Sequence, residues 1–470
     1  MKPAFALALC GHALFVLGVI GQLRAAWIVV ALIVAIVASS GGKVPRLTGQ
    51  AWAPVLYFIA LLPLALRPPI AFDETLYHLP LVRALAHSGE MMFRATLRYP
   101  VFPQLHELLC VPFYLAGGDV APHLLAAIEV AIAATILYEW SGALAAALFL
   151  GSPIIIQLGT ITYVECALAL FITAGFYCID RERFAYAGFF LGTACAVKYL
   201  GGYFAVAGLI LVLVRSRKNA WKFAACCAAA ALPTTIWIVI NTGNPVFPFL
   251  GHNAWTMSLD RPSLEPLRVI WDVVFARERV NHQPPFTPFF LVMAIVVAMR
   301  ARSTALIALG YLIAFAFLHK DSRYLVPLIP LFAAAAAAQW PNAPKWTVAI
   351  AITPGVLYLG YALTQHPQNS EVAALGHADA RTVYVCGAEQ LKSYARGELL
   401  GDVTGPYAYS RIIARDTSTT AANLRRIDAT WYLVSKRTCA PPIANGGMDL
   451  VYEDASAQLW RVQESSPHLR

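Results

Sequence analysis

Phe72-Asp73-Glu74-Thr75-Leu76-Tyr77-His78 follows a hydrophobic span that ends near Leu66 and opens the first long polar segment of the chain. Two adjacent carboxylates, a phenol and an imidazole thus stand where an apolar helix emerges. Carboxylates beside hydrocarbon are costly unless they are solvated, paired or used. A solvated loop start is the plain alternative. The membrane boundary just before the acids, with Tyr77 and His78 one helical turn on, favours an acid/base site. Asp73 is the expected base. Glu74 is second to it, because adjacent side chains point in different directions and rarely serve one atom.

Working outward, the composition decides the class. The 470 residues are 59% hydrophobic and 13% charged, with a mean hydropathy of +0.61, whereas soluble domains run about 45–50% apolar and about 25% charged. Apolar stretches approach the ~20 residues that cross a bilayer, and runs such as Ile28–Ala38 lack the alternation of a β-barrel. The chain reads as an α-helical polytopic membrane protein, since spanning backbone must satisfy itself internally. Spans are expected at 4–21, 25–39, 51–66, 121–138, 142–157, 163–179, 184–199, 201–214, 221–241, 286–299, 304–318, 324–339 and 346–363, about thirteen helices. The first has the length of a signal-peptide core, but its n-region carries only Lys2 and Ala25-Ala26 is a poor cleavage site, so it reads as a retained span.

The net charge of +9 falls largely in loops. Lys43 and Arg46, Arg181 and Arg183, Arg215, Arg217, Lys218 and Lys222, Arg300 and Arg302, and Lys345 all lie on one face if the N-terminus is cytoplasmic, as the positive-inside bias requires. The loop near Glu139 carries no such charge. Parity sends 67–120, 242–285 and the tail to the other face, making this a multi-pass plasma (inner) membrane protein with an extracytoplasmic C-terminus. No basic, aromatic-interleaved stripe points to nucleic acid.

The first outer loop, 67–120, contains two short amphipathic or apolar segments, around 79–85 and 105–116, expected to lie along the interface. The second, 242–285, opens with Asn244-Pro245-Val246-Phe247-Pro248, where Gly and Pro end a helix; it reads equally as a lid, an acceptor platform or a plain connector. The transmembrane module is placed at 1–365 and a small α/β domain at 366–470. In the latter, 381–387 and 429–434 read as strands, Glu389–Arg396 as a short helix and 451–460 as a hairpin. Of nine cysteines, most lie in apolar runs. Cys386 and Cys439 lie in the polar tail and form a disulfide only if that region is outside the cytosol.

Other ionisable groups converge on the same outer rim. Lys198, in Val197-Lys198-Tyr199-Leu200-Gly201-Gly202, is either a snorkelling lysine or a point charge for phosphate. Arg323, in His319-Lys320-Asp321-Ser322-Arg323-Tyr324, either pairs with Asp321 or meets a ligand. Glu165 and Tyr163 start another span at that level, and His319 and Tyr324 complete the set. Glu129 sits deeper, as a structural hydrogen-bond partner. There is no metal-ligand spacing and no glycine-rich phosphate cradle.

Taken in order, Asp73-Glu74 with Tyr77, Tyr163-Val164-Glu165, Lys198, Asn244-Pro245-Val246-Phe247-Pro248 and Arg323-Tyr324-Leu325-Val326-Pro327 resemble the GT-C superfamily of integral-membrane glycosyltransferases. The likeness is greatest to the branch of protein O-mannosyltransferases and lipid A aminoarabinose transferases, and it covers most of 50–340. The resemblance implies a sugar donor on a polyprenyl-phosphate carrier, a lipid, glycan or protein acceptor, and transfer on the extracytoplasmic side with inversion. It implies Asp73 as base, with Lys198, Arg323, His78 and Tyr77 around the donor phosphate. A monophosphate carrier demands no metal or other cofactor; if a divalent cation is used, Asp73 and Glu165 are its expected ligands. The rival class is a transporter or flippase of a lipid-linked sugar. Against it stand the lack of a repeat and the gathering of charge at one face.

Overall fold

The computed structural model describes residues 1–40, 52–251, 254–256, 268–366, 371–402 and 406–463. Lys43 and Arg46 lie outside the described residues, as does much of the 242–285 segment. The apolar runs form helices: α1 (Lys2–Val19), α2 (Ala25–Ser40) and α3 (Trp52–Ala65) precede the opening stretch, and α4 (Leu79–Ser88) and α5 (Leu105–Gly117) follow it. Then come α6 (Pro122–Ser141), α7 (Ala143–Leu150), α8 (Pro153–Leu158), α9 (Glu165–Asp180), α10 (Phe184–Val197), α11 (Gly201–Ser216) and α12 (Ala220–Thr242). The series closes with α13 (Val269–Phe275), α14 (Phe289–Arg300), α15 (Arg302–Phe315), α16 (Leu328–Ala337) and α17 (Lys345–Thr364). Among the described residues, α1, α6, the α11–α12 stretch and α17 are long and apolar enough to cross a membrane, with shorter apolar helices packed between them. Many large apolar side chains point outward, among them Val30, Ile33, Ile210, Ile240 and Leu357. Hydrocarbon is the solvent that suits such a surface.

Two expectations are corrected. The span expected over 142–157 is broken, because Pro153 offers no N–H and drives Ser152 into an extended conformation. The chain re-enters as α8, and the Ser152 hydroxyl accepts the backbone N–H of Thr287 at 3.2 Å. The 105–116 segment lies on a surface only at its end: Leu105–Val111 of α5 are buried, with α1 and α4 against them, while Leu115 and Ala116 are exposed.

Helices approach closely where glycine permits it. A Cβ on Gly188 or Gly192 of α10 would run into the carbonyl oxygens of Phe223 and Cys227 on α12. A Cβ on Gly151 would meet the Ala351 carbonyl of α17, and one on Gly355 the Leu150 carbonyl at 2.6 Å. Backbone-on-backbone contact of this kind is how helices associate when the surrounding solvent is itself apolar.

Residues 371–463 carry a five-stranded sheet of order β2-β1-β3-β5-β4, with β1 (Val383–Cys386), β2 (Leu399–Leu400), β3 (Trp431–Ser435), β4 (Met448–Glu453) and β5 (Ala457–Val462). β1 pairs in parallel with β2 and β3, while β3, β5 and β4 run antiparallel. Cys386 is joined to Cys439. The segment is tied to the helices: Arg83 of α4 donates to the Ser393 carbonyl at 2.8 Å and to Asp119 at 2.9 Å, and the Tyr394 hydroxyl donates to the Pro69 carbonyl. Arg67 donates to the Ala362, Leu363 and Gln365 carbonyls at the end of α17, at 2.7–2.9 Å. The fastenings at Arg67 and Pro69 grip the residues just before Asp73, and that at Arg83 the helix after it.

The α10–α12 crossing gives a stability test. Gly188→Leu should cost at least the ~1–3 kcal/mol of an overpacked core, lowering the melting temperature in detergent. Gly202→Ala, with nothing within 4 Å of its added Cβ, should leave it unchanged within ~0.5 kcal/mol.

Candidate active site

Asp73 begins a helical turn that passes through one π-type turn, Glu74–His78, before α4. Such turns recur at functional positions because they re-aim side chains. Here it separates two neighbouring acids completely. Glu74 is fully buried; its Oε1 accepts from the Thr162 amide at 2.6 Å and from His123 Nε2 at 2.7 Å, and its Oε2 from the Ala71 amide at 3.3 Å. Burial pushes its carboxyl up, but His123 and the Thr162 amide carry it below the usual range. Glu74 is thus committed to clamping α3, α6 and the 159–164 turn together. The expected share of Glu74 in the acid/base chemistry is corrected on that ground, since no oxygen faces outward.

Asp73 is 16% exposed and points the other way. Its Oδ2 meets Arg323 at 2.9 Å, and its backbone N–H donates to the Tyr163 hydroxyl at 3.0 Å. Arg323 is held by local sequence logic. Asp321 caps the 3₁₀ turn Ser322–Leu325 by accepting the Arg323 amide at 2.9 Å, and its other oxygen takes the guanidinium Nε at 2.8 Å and a terminal nitrogen at 2.7 Å. The guanidinium therefore bridges Asp73 and Asp321, and it lies 4.6 Å from the Tyr163 ring centroid. Asn281 donates to Asp321 at 2.8 Å, fixing the capping acid in turn.

Lys198 terminates α10 in an extended conformation. Its ammonium reaches Glu165, in the first turn of α9, at 2.7 Å and sits 4.5 Å over the Tyr324 ring. Lys198 is 24% exposed while Glu165 is 2% exposed, so the cation opens to a ligand and its counter-ion does not. The motif after α12 locks this corner. Asn244 makes an Asx turn with the Val246 amide, and the buried Phe247 offers its carbonyl to the Tyr199 hydroxyl at 2.6 Å.

The remaining expected residues fall in different places. Tyr77 packs edge-on against Tyr99 and Phe102, with ring centroids 4.7 and 6.0 Å away. His78 is 3% exposed and its Nδ1 is bound to the fully buried Glu107 at 2.6 Å. Glu129 pairs with His106 at 3.2 Å within the bundle. His319 is exposed beside the Asp321 turn, and its carbonyl accepts the Asp321 amide at 2.8 Å. Asp73 and Glu165, the expected metal ligands, each face a cation, Arg323 and Lys198 respectively.

Two residues of the site were not anticipated. His123 holds Glu74, while Asp321 holds Arg323 in the pairing that the sequence offered. Arg98 is half-buried in Leu97-Arg98-Tyr99-Pro100; its guanidinium stands 5.3 Å from the Tyr99 ring centroid. Burial weakens its charged form, yet Tyr99, Asp73, Tyr77 and Tyr324 together hold its pKa above the ordinary value. The signal was a basic residue beside a Tyr-Pro link in an outer loop.

At Asp73 itself, burial would raise the carboxyl pKa. The facing Arg323, followed by His78 and Arg98, holds it below the ordinary carboxylate value. The site thus sets Asp73 among three cations, Arg323, Lys198 and Arg98, the first two also paired with Asp321 and Glu165, and is walled by Tyr77, Tyr99, Tyr163 and Tyr324.

Comparison with solved structures places this arrangement. ArnT from Cupriavidus metallidurans in the apo state superposes with a TM-score of 0.61 at 15% identity, over 88% of this chain and 98% of that one. The chain has the GT-C fold. The same enzyme bound to undecaprenyl phosphate gives a TM-score of 0.60 at 16% identity, again over 88% and 98% of the two chains. The mycobacterial arabinofuranosyltransferase AftD gives 0.54 at 13% identity, over 89% of this chain and 40% of that one. The fold shared with these structures accords with the four described helical stretches that are long and apolar enough to cross a membrane. No family model matches the sequence. An uncharacterized protein of Shigella flexneri is 42% identical over 66 residues, 14% of this chain, which spans about a third of that relative's length.

The two acids give opposite expectations on truncation. Glu74→Ala leaves His123 buried and unmatched, a loss of about 3–5 kcal/mol for a broken buried pair, and should abolish monodisperse protein or lower its melting temperature steeply. Survival of Glu74→Ala at wild-type stability would contradict the clamping role.

Proposed function

We propose that this protein transfers a sugar from a polyprenyl-phosphate carrier to an acceptor hydroxyl on the extracytoplasmic face of the membrane, by an inverting displacement. The observation that carries this reading is the direct Asp73–Arg323 contact at a partly open rim, with Lys198 joined to it through Tyr324 and Glu165. The GT-C likeness, including a neighbour bound to undecaprenyl phosphate, supports it.

In the proposed reaction the acceptor hydroxyl gives its proton to a carboxylate oxygen of Asp73 as its oxygen attacks the anomeric carbon. The bond from that carbon to the phosphate oxygen breaks, and its electron pair stays with the phosphate. A positioned base is worth about 10²–10⁴-fold. Charge growing on the departing phosphate calls for fixed cations already in place. Arg323, Lys198 and Arg98 are assigned that task, with Asp321 and Glu165 as the counter-ions that keep the first two in position. Three cations suffice for a phosphodiester, so a metal is not required. The tyrosine wall offers faces against which a sugar ring packs. The sugar and the acceptor, whether lipid, glycan or protein, are left open by these groups.

Replacing Asp73 by Asn keeps the shape and removes the base. Asp73→Asn should reduce transfer from a polyprenyl-phosphate sugar by at least 100-fold, with expression and carrier binding retained. Transfer at more than a tenth of the wild-type rate would overturn the base assignment.

The pH profile is a second check. Because Arg323 favours the ionised form, Asp73 keeps its proton-accepting form down to pH values below the usual carboxylate pKa of about 4. The acid limb of kcat/KM should therefore lie below pH 4, with no inflection near 6.5. A limb near 6.5 would point to a histidine base.

A further inference from the structure

A cavity at the other end of the bundle from Asp73 carries its own chemistry. A cleft of about 590 Å³ lies where the ends of α9, α11, α14, α15 and α16 meet. Three of these helices start at the site and finish here. α9 runs from Glu165 to Asp180, α11 from just after Lys198 to Arg215, and α16 from just after Arg323 to Ala334 and Ala335. The 16 residues of α9 correspond to roughly 24 Å of helix, most of the ~30 Å hydrocarbon thickness. The cleft and the site thus sit at opposite ends of the bundle.

Arg215, Arg300 and Arg302 line the cleft, with hydroxyls from Ser303 and Thr304. Among the described residues its one carboxylate is Asp180. That group meets Arg215 at only 3.5 Å and also accepts from Trp140 at 3.2 Å, with both members of the ion pair more than 40% exposed. Exposed pairs of this kind hold their partners weakly. Arg300 and Arg302 make no ion pair among the described residues. The deeper wall is apolar, formed by Phe176, Ile179, Leu211, Ile307 and Leu331, and the small side chains of Ala334 and Ala335 leave the room. The positive-inside bias puts arginines in loops. It does not require cations from three separate helix ends to converge on one cleft with a hydrocarbon-lined floor.

We propose that this cleft binds the phosphodiester headgroup of an anionic phospholipid. The guanidiniums take the phosphate oxygens, an interaction for which their fork geometry is suited. The Ser303 and Thr304 hydroxyls take the glycerol, and the start of the acyl chains lies on the apolar wall. Basic pockets between membrane helices on the cytoplasmic side are used in this way. The site is distinct from the donor pocket and makes no demand on the transfer reaction.

The test is native mass spectrometry of the delipidated full-length protein in detergent, titrated separately with phosphatidylglycerol, phosphatidylcholine and glycerol 3-phosphate. Phosphatidylglycerol should bind at least 10-fold more tightly than phosphatidylcholine. Each basic residue at a membrane surface is worth about fivefold in affinity, so Arg300→Gln/Arg302→Gln should weaken phosphatidylglycerol about 25-fold and leave phosphatidylcholine unchanged. Should that variant not fold, Arg215→Gln is expected to weaken phosphatidylglycerol about fivefold. Arg98→Gln, at the other end of the bundle, should leave its binding intact. Equal binding of the two lipids, wild-type binding in the arginine variants, or loss in Arg98→Gln would each overturn the proposal. So would glycerol 3-phosphate binding as tightly as the lipid, because the site would then take a soluble phosphate.

Discussion

One guanidinium organises this protein's outer end. Arg323 stands between Asp321, two residues before it, and Asp73, from the far side of the sequence. A cation this enclosed is tolerable only with its charge matched, and two carboxylates from separate elements face it. The Asp321 half is local: a capping acid and an arginine two residues on orient each other as the 3₁₀ turn forms. The Asp73 half brings the first outer loop onto the start of α16. Lys198 and Glu165 repeat the device one position along, joining the end of α10 to the start of α9. Two paired cations thus define a rim on which four helical elements agree.

Most of the helical frame was legible because hydrocarbon leaves a chain few options. Apolar runs of near-spanning length must become helices, and the observed α1, α2, α6, α9, α12 and α17 lie within a few residues of where composition puts them. The break between α7 and α8 was written locally, in Gly151-Ser152-Pro153, but a hydropathy window averages over one proline. The packing reason for Gly151 was not legible at all, since the carbonyl that approaches it belongs to Ala351.

The site was legible in its membership more than in its roles. Asp73, Arg323, Lys198, Glu165, Tyr163 and Tyr324 were found because costly groups gathered at one predicted level. Adjacent acids cannot be told apart by type. Asp73 and Glu74 part ways because His123 and the Thr162 amide, about 50 and 90 residues on, capture the second and leave the first. That Glu107 binds His78 was not legible from either stretch alone. Arg98 escaped notice because a loop arginine is ordinarily solvated, and nothing short of the folded loop puts it near Asp73.

The distance along the chain between Asp73 and Arg323 has a consequence for biosynthesis. At ~5–20 residues per second, the acid leaves the ribosome roughly 12–50 s before its guanidinium partner exists. Through that interval the loop must wait in water at the bilayer edge. A polypeptide that stops short of Arg323 would carry the acid without the cation that completes its surroundings. Competence of the centre therefore doubles as a report that about two thirds of the polypeptide has been made and threaded.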